Sequence, residues 1–122
     1  MKVLLFLFLG FTTSLNAQNA ERLFKALGDN DLSILAKVLD EDVEVCIRDN
    51  TDILSKPEAI KRIRRFLKNN KPIKITSMHG GKSAKNDSRY KVARLKTTNG
   101  VFRVFVYSEG NRKIQEVRFD RF

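Results

Sequence analysis

From Ser88 to the carboxyl terminus, apolar and polar positions alternate with a period near two through the stretches SRYKVARLKTTNG, VFRVFVYSEGN and RKIQEVRFDRF. That alternation predicts strands with one face turned to a core. The breaks at Asn99-Gly100 and Glu109-Gly110-Asn111 hold residues that tolerate positive φ, so they predict tight reversals that join the strands into a meander. In the middle stretch Phe102, Val104 and Val106 fall on one face, and Val101, Arg103, Phe105 and Tyr107 on the other. Apolar residues on both faces place this strand inside the sheet, with helices on one side and a partner or ligand against part of the other.

Upstream the period lengthens. Ala20, Leu23, Phe24 and Leu27 make one helical stripe stopped at Gly28, and Asp29 or Asn30 is expected to cap a second helix carrying Leu32, Leu35, Ala36 and Leu39. Asp40-Glu41-Asp42 ends the pair. Val43, Val45 and Ile47 alternate as a strand, Arg48 to Thr51 has turn chemistry, and Thr51 to Leu54 returns as its partner. Ser55 and Glu58 have capping-box spacing with Pro57 in the first turn, which opens a third helix. Its buried stripe is Ala59, Ile60, Ile63, Phe66 and Leu67, the sharpest amphipathic pattern in the chain. After Pro72, Ile73 to Met78 reads as a strand, His79-Gly80-Gly81 as a bend or bulge, and Ser83 to Ser88 as a polar turn. The order is ααββαββββ, an α+β fold in which a sheet receives the stripe of the third helix.

The first residues read as an address. Lys2 precedes an apolar run, Val3 to Phe11, that is too short to span a bilayer, and Thr12 to Ala17 turns small and polar. The expected division is a signal peptide over 1–17 and a domain over 18–122, exported to the periplasm or beyond, with no transmembrane segment in the mature chain. Cys46 is the single cysteine, so such a chain builds no internal disulfide and rests on its core. Within its strand Cys46 falls opposite Val43, Val45 and Ile47, where a neighbouring element is expected to cover it.

Charge adds a partner class. Lys and Arg outnumber Asp and Glu by 24 to 14, a formal charge of +10 over 122 residues, which attracts polyanions. On the third helix Lys61, Arg62, Arg65 and Lys68 fall close enough together to meet an anionic partner. No nucleic-acid motif accompanies them, and export removes the chain from nucleic acid, so the expected partner is a protein or an anionic envelope component. His79 is the only histidine, and no Cys, His and carboxylate spacing supports a metal site, so no metal or cofactor is expected.

The entry LFKALGDNDLSILAKVLDEDVEV, with its Gly-Asp break, and the segment SKPEAIKRIRRFL resemble the nuclear transport factor 2-like and ketosteroid isomerase-like superfamily. Within it, Glu21 to Phe122, especially TTNGVFRVFVY and KIQEVRF, resembles a family of small exported bacterial proteins whose domain has no known function. The resemblance implies a cone-shaped, cystatin-like fold in which a curved antiparallel sheet wraps a long helix. It also implies where catalysis would sit. Asp49 falls near the place of the isomerase base, although Asp49-Asn50 is equally what a hairpin turn contains. The first helix offers Leu23 and Phe24 where those relatives carry a tyrosine, and Val101 to Tyr107 holds no acid to stabilise an enolate. If the cone is hollow, His79, Arg103 and Tyr107 join Asp49 as its polar lining. Relatives of this shape often pair through the outer sheet face, which here carries Val101, Phe105 and Tyr107. Two readings follow: an exported, non-catalytic binding domain, or a small-ligand pocket protein or isomerase- or hydrolase-like enzyme.

Overall fold

The computed structural model describes residues 15–83, 85, 87–110 and 112–122. Apart from its last three residues, the expected signal peptide lies outside them, as does Asn111 of the second reversal. Helix α1 (Leu15–Asp29) buries Ala20, Leu23, Phe24, Ala26 and Leu27. Gly28 does not stop it. The stop is Asn30, in the left-handed region at φ 54, with its N–H on Leu27 O (3.2 Å) and the Asp31 N–H on Ala26 O (3.0 Å). Gly28 instead lets the helix approach the sheet, for a Cβ there would lie 2.5 Å from Ile75 Cγ2.

The second expected helix is split. A 3₁₀ turn (Leu32–Ile34) is capped by Asp31, whose Oδ1 accepts the Ser33 N–H at 3.2 Å, rather than by Asp29 or Asn30. A single turn, α2 (Leu35–Val38), follows, on which Ala36 is exposed. Leu39 is buried but opens strand β1 (Leu39–Ile47), because it pairs with Ile114 and draws the acidic run Asp40 to Asp42 into the sheet. A two-residue turn at Arg48 and Asp49 leads to β2 (Asn50–Ser55).

Helix α3 (Lys56–Asn69) turns the stripe inward as expected: Ala59, Ile63, Phe66 and Leu67 are buried and Ile60 half-buried. Ser55 occupies the N-cap with extended backbone, but its hydroxyl makes no capping bond, so the capping box is not formed. The rest is sheet: β3 (Pro72–Lys82), β4 (Ser88–Thr97), β5 (Gly100–Glu109) and β6 (Ile114–Arg121). In β3 the register shifts between Ser77 and His79, so the irregularity falls at Met78 and pairing continues through both glycines.

The six strands form one curved, unclosed sheet in the order β2-β1-β6-β5-β4-β3. All neighbours are antiparallel except β1 and β6, which run parallel and bring the two ends of the domain together at the middle of the sheet. Two helices share the cover. α1 packs over β3 and β4, where Glu21 takes bonds from Ser77 Oγ (3.1 Å) and Lys91 Nζ (2.6 Å). α3 packs over β1 and β2, and Phe66 reaches Phe102 and Phe119 with ring centroids 5.0 and 4.5 Å away. These rings fill the space between helix and strands.

A polar groove at the end of helix α3

Three chain reversals meet where α3 ends. The helix closes on Asn70, whose N–H and side-chain Nδ2 both donate to Phe66 O at 2.9 Å. Beside it lie the β1–β2 turn and the β4–β5 turn. Between them is an open groove of about 720 Å³, lined by Ile47, Arg48, Asn50, Asp52, Arg62, Arg65, Phe66, Asn69, Asn70 and Asn99.

The charges are unequal. Arg62 donates to Asp52 Oδ2 at 2.7 Å, which holds this guanidinium against β2 and largely neutralises it. Among the described residues no carboxylate pairs with Arg48 or Arg65, so two positive charges face the groove uncompensated. Asn50, Asn69, Asn70 and Asn99 add amides that both donate and accept. Asn70 is only 5% exposed, and its Oδ1 is buried without a hydrogen-bond partner among the described residues.

The basic patch expected on the third helix is therefore divided by the fold. Arg62 and Arg65 reach the groove, whereas Lys61 and Lys68 stay on the solvent side of α3. Arg48, Asn50, Asn69, Asn70 and Asn99 were not foreseen. The signal for Arg48 was faint: an arginine at the first position of a two-residue hairpin, where glycine is usual.

The expected pocket set does not assemble. Asp49 is exposed in the β1–β2 turn. His79 is exposed and stands edge-on to Tyr90, centroids 6.0 Å apart. Arg103 lies over the Phe122 ring at 4.9 Å, with Arg94 at 5.5 Å from the same ring. Tyr107 donates to Glu109 Oε1 at 3.0 Å and lines a separate cleft of about 330 Å³ that includes Ala20, Lys91, Val106 and Ile114. Strand alternation puts Arg103 and Tyr107 on the face opposite the buried Phe102, Val104 and Val106, so they do not line a hollow under α3. Val101, Phe105 and Tyr107 are half-buried rather than exposed together, Phe105 lying beneath a stacked Tyr90 at 5.7 Å.

Cys46 is fully covered, at 2% exposure, and its Sγ donates to Arg48 O at 3.2 Å. Glu116 on β6 stands opposite Glu44 on β1; burial first, and the neighbouring Glu44 carboxylate second, raise its pKa above the ordinary 4.5 against the pull of Arg118. Among the described residues no three His, Cys, Asp or Glu side chains gather as a metal site needs, and no helix is long and apolar enough to cross a membrane.

The profile of the family described as Domain of unknown function (DUF4783) matches residues 13–120. A DUF4783 family protein from Bacteroides uniformis superposes with a TM-score of 0.74 at 26% identity, over 84% of this chain and 95% of its own. Two more distant structures show the fold alone. A Bacillus subtilis protein provisionally named an isomerase has a TM-score of 0.68 at 10% identity, covering 86% of this chain and 84% of its own. A cystatin-fold protein from Novosphingobium aromaticivorans has a TM-score of 0.60 at 14% identity, covering 90% of this chain and all 100% of its own. No curated protein matches the chain.

Proposed function

Because the chain belongs to the DUF4783 family and is built on a nuclear transport factor 2-like frame, we propose that it is an exported, non-catalytic binding domain that engages an anionic partner through the groove at the end of α3. The observation that carries the reading is the pair Arg48 and Arg65, two guanidinium groups on one concave surface with no carboxylate of their own. The excess charge of +10 over the 122 residues, to which the leader contributes only Lys2, supports it by raising the concentration of anions near the surface. The leader pattern over residues 1–17 supports export, and an anionic envelope component is the partner that such a location offers.

Catalysis finds less support. Asp49 sits in an exposed turn, and the volume beneath α3 is occupied by Phe66, Phe102 and Phe119. A feature that favours a small apolar ligand is the cleft of about 330 Å³ beside α1, which mixes Val106 and Ile114 with Tyr107 and Lys91.

Retention on an immobilised anionic polysaccharide tests the proposal. The double variant Arg48→Glu/Arg65→Glu is expected to elute at markedly lower salt than Lys37→Glu/Lys96→Glu, which changes the net charge equally on exposed positions elsewhere. Equal elution of the two variants would mean that overall charge, not the groove, does the binding.

A further inference from the structure

The groove holds an unanswered acceptor. Asn70 Nδ2 is committed to Phe66 O, which fixes the amide orientation and leaves Oδ1 as the free end. That oxygen is buried and has no partner among the described residues. Asn70 lines the groove, and a donor, an O–H or N–H, brought there by a ligand would satisfy it. A bare carboxylate or sulfate accepts and does not donate. Yet the guanidinium groups of Arg48 and Arg65 on the same lining call for an acceptor with negative charge. One ligand meets both demands if it carries an acid at one end and hydroxyls along its body. The volume, about 720 Å³, is far larger than an inorganic ion needs, and the amides of Asn50, Asn69 and Asn99 give further hydroxyls both donors and acceptors.

Resting on the anion-binding reading, we infer that the groove takes a hydroxylated acid of sugar size, with its anionic group on Arg48 and Arg65 and one hydroxyl donated to Asn70 Oδ1. Uronic acids and sugar phosphates share this chemistry. Arg48 adds a detail of its own. It holds φ 59 at the first position of the hairpin, a conformation that glycine adopts freely, so the side chain is present despite the backbone.

The test compares matched probes on the full chain by calorimetric titration. Glucuronate is set against cyclohexanecarboxylate, and glucose 6-phosphate against cyclohexyl phosphate, in mildly alkaline buffer where each control has the same anionic group and a six-membered ring but no O–H donor. A preference of about tenfold or more for the hydroxylated member is expected in at least one pair, and the pair that shows it separates a carboxylate from a phosphate source. Equal affinity within both pairs means that a water serves Asn70; it overturns the inference and leaves the anion-binding reading standing. No binding of any probe overturns both. Asn70→Ala is expected to erase the preference, and a folded Asn70→Ala that keeps it is fatal to the assignment. Should that variant fail to fold, Arg48→Gly replaces it: about tenfold weaker binding of both members of the preferred pair is expected, and unchanged binding removes the anionic half of the site.

Discussion

Two hairpins border the groove, and they reverse the chain by different means. Between β4 and β5 the turn is centred on Thr98 and Asn99, one residue earlier than Asn99-Gly100, and Gly100 enters the next strand at φ 117. Thr97 Oγ1 accepts the Asn99 N–H at 3.0 Å and donates to Gly100 O at 2.7 Å, while from outside the hairpin Lys71 O accepts the Thr98 N–H at 2.9 Å and Arg121 Nη1 donates to Asn99 O at 3.0 Å. Between β1 and β2 the left-handed residue is Arg48, and both of its backbone polar groups are held. Its N–H is held by Phe119 O at 2.8 Å on β6, and its carbonyl accepts from the buried Cys46 thiol. Both reversals are braced from outside, but glycine takes its positive φ without steric cost, whereas an arginine in the left-handed region is strained and depends on the bracing. What the second arrangement gains is a guanidinium over the groove.

The largest effect is expected where the two hairpins share a foundation. Phe66 packs on Phe102, two residues into β5, and on Phe119, whose carbonyl steadies Arg48. Phe66→Ala should cost about 3–5 kcal/mol in chemical denaturation, by loss of the ring and the cavity it leaves. A loss below about 1 kcal/mol would show that the hairpins do not rest on this cluster. Next comes Gly100→Ala. At φ 117 a side chain is strained, and the new Cβ would lie 2.5 Å from Arg121 Nη1, so a loss of about 1–3 kcal/mol is expected in the same measurement.

Arg48→Gly reverses the sign. Relief of the left-handed arginine should raise stability by up to about 1 kcal/mol while binding of anions weakens. Opposite signs in a melt and a titration on one variant cannot arise from partial unfolding. If Arg48→Gly both melts lower and binds as before, the contrast between the hairpins has been misread.

Where local pattern decides structure, the chain could be read directly. The stripe of Ala59, Ile63, Phe66 and Leu67 and the alternation of Phe102, Val104 and Val106 announce faces that the fold then buries. Leu39 shows the limit: a helical spacing put it on the second helix, but pairing with Ile114, more than seventy positions away, makes it a strand residue. The groove was half legible for the same reason. Arg62 and Arg65 share a helix face that spacing reveals, and Asn70 closes the same helix, but Arg48 and Asn99 join them only through strand pairing across the sheet. The polar residues expected in one pocket are scattered: Asp49 stays in a turn, strand alternation turns Arg103 away from Phe102 and Val104, and Tyr107 lines a separate cleft.

The smallest expected effect lies away from both hairpins and serves as their control. On the outer face of the sheet Glu116 meets Glu44 across the β1–β6 pair, and burial, then Glu44, raise its pKa over 4.5 despite Arg118 Nη1 at 3.6 Å. The folded chain thus keeps a proton that the unfolded chain releases. The stability this contributes is complete below pH 4.5 and is lost as the pH rises through the raised value, so at neutral pH the ionised Glu116 is a burden. Glu116→Gln should therefore melt higher at neutral pH by less than about 1 kcal/mol, since the group is partly solvated, and match the original chain in acid. Anion binding should not change. If the advantage of glutamine persisted undiminished in acid, proton release from Glu116 could not be its source; if anion binding moved as well, the sheet face and the groove would be coupled, and the effects of Arg48→Gly could no longer be read as local to its turn.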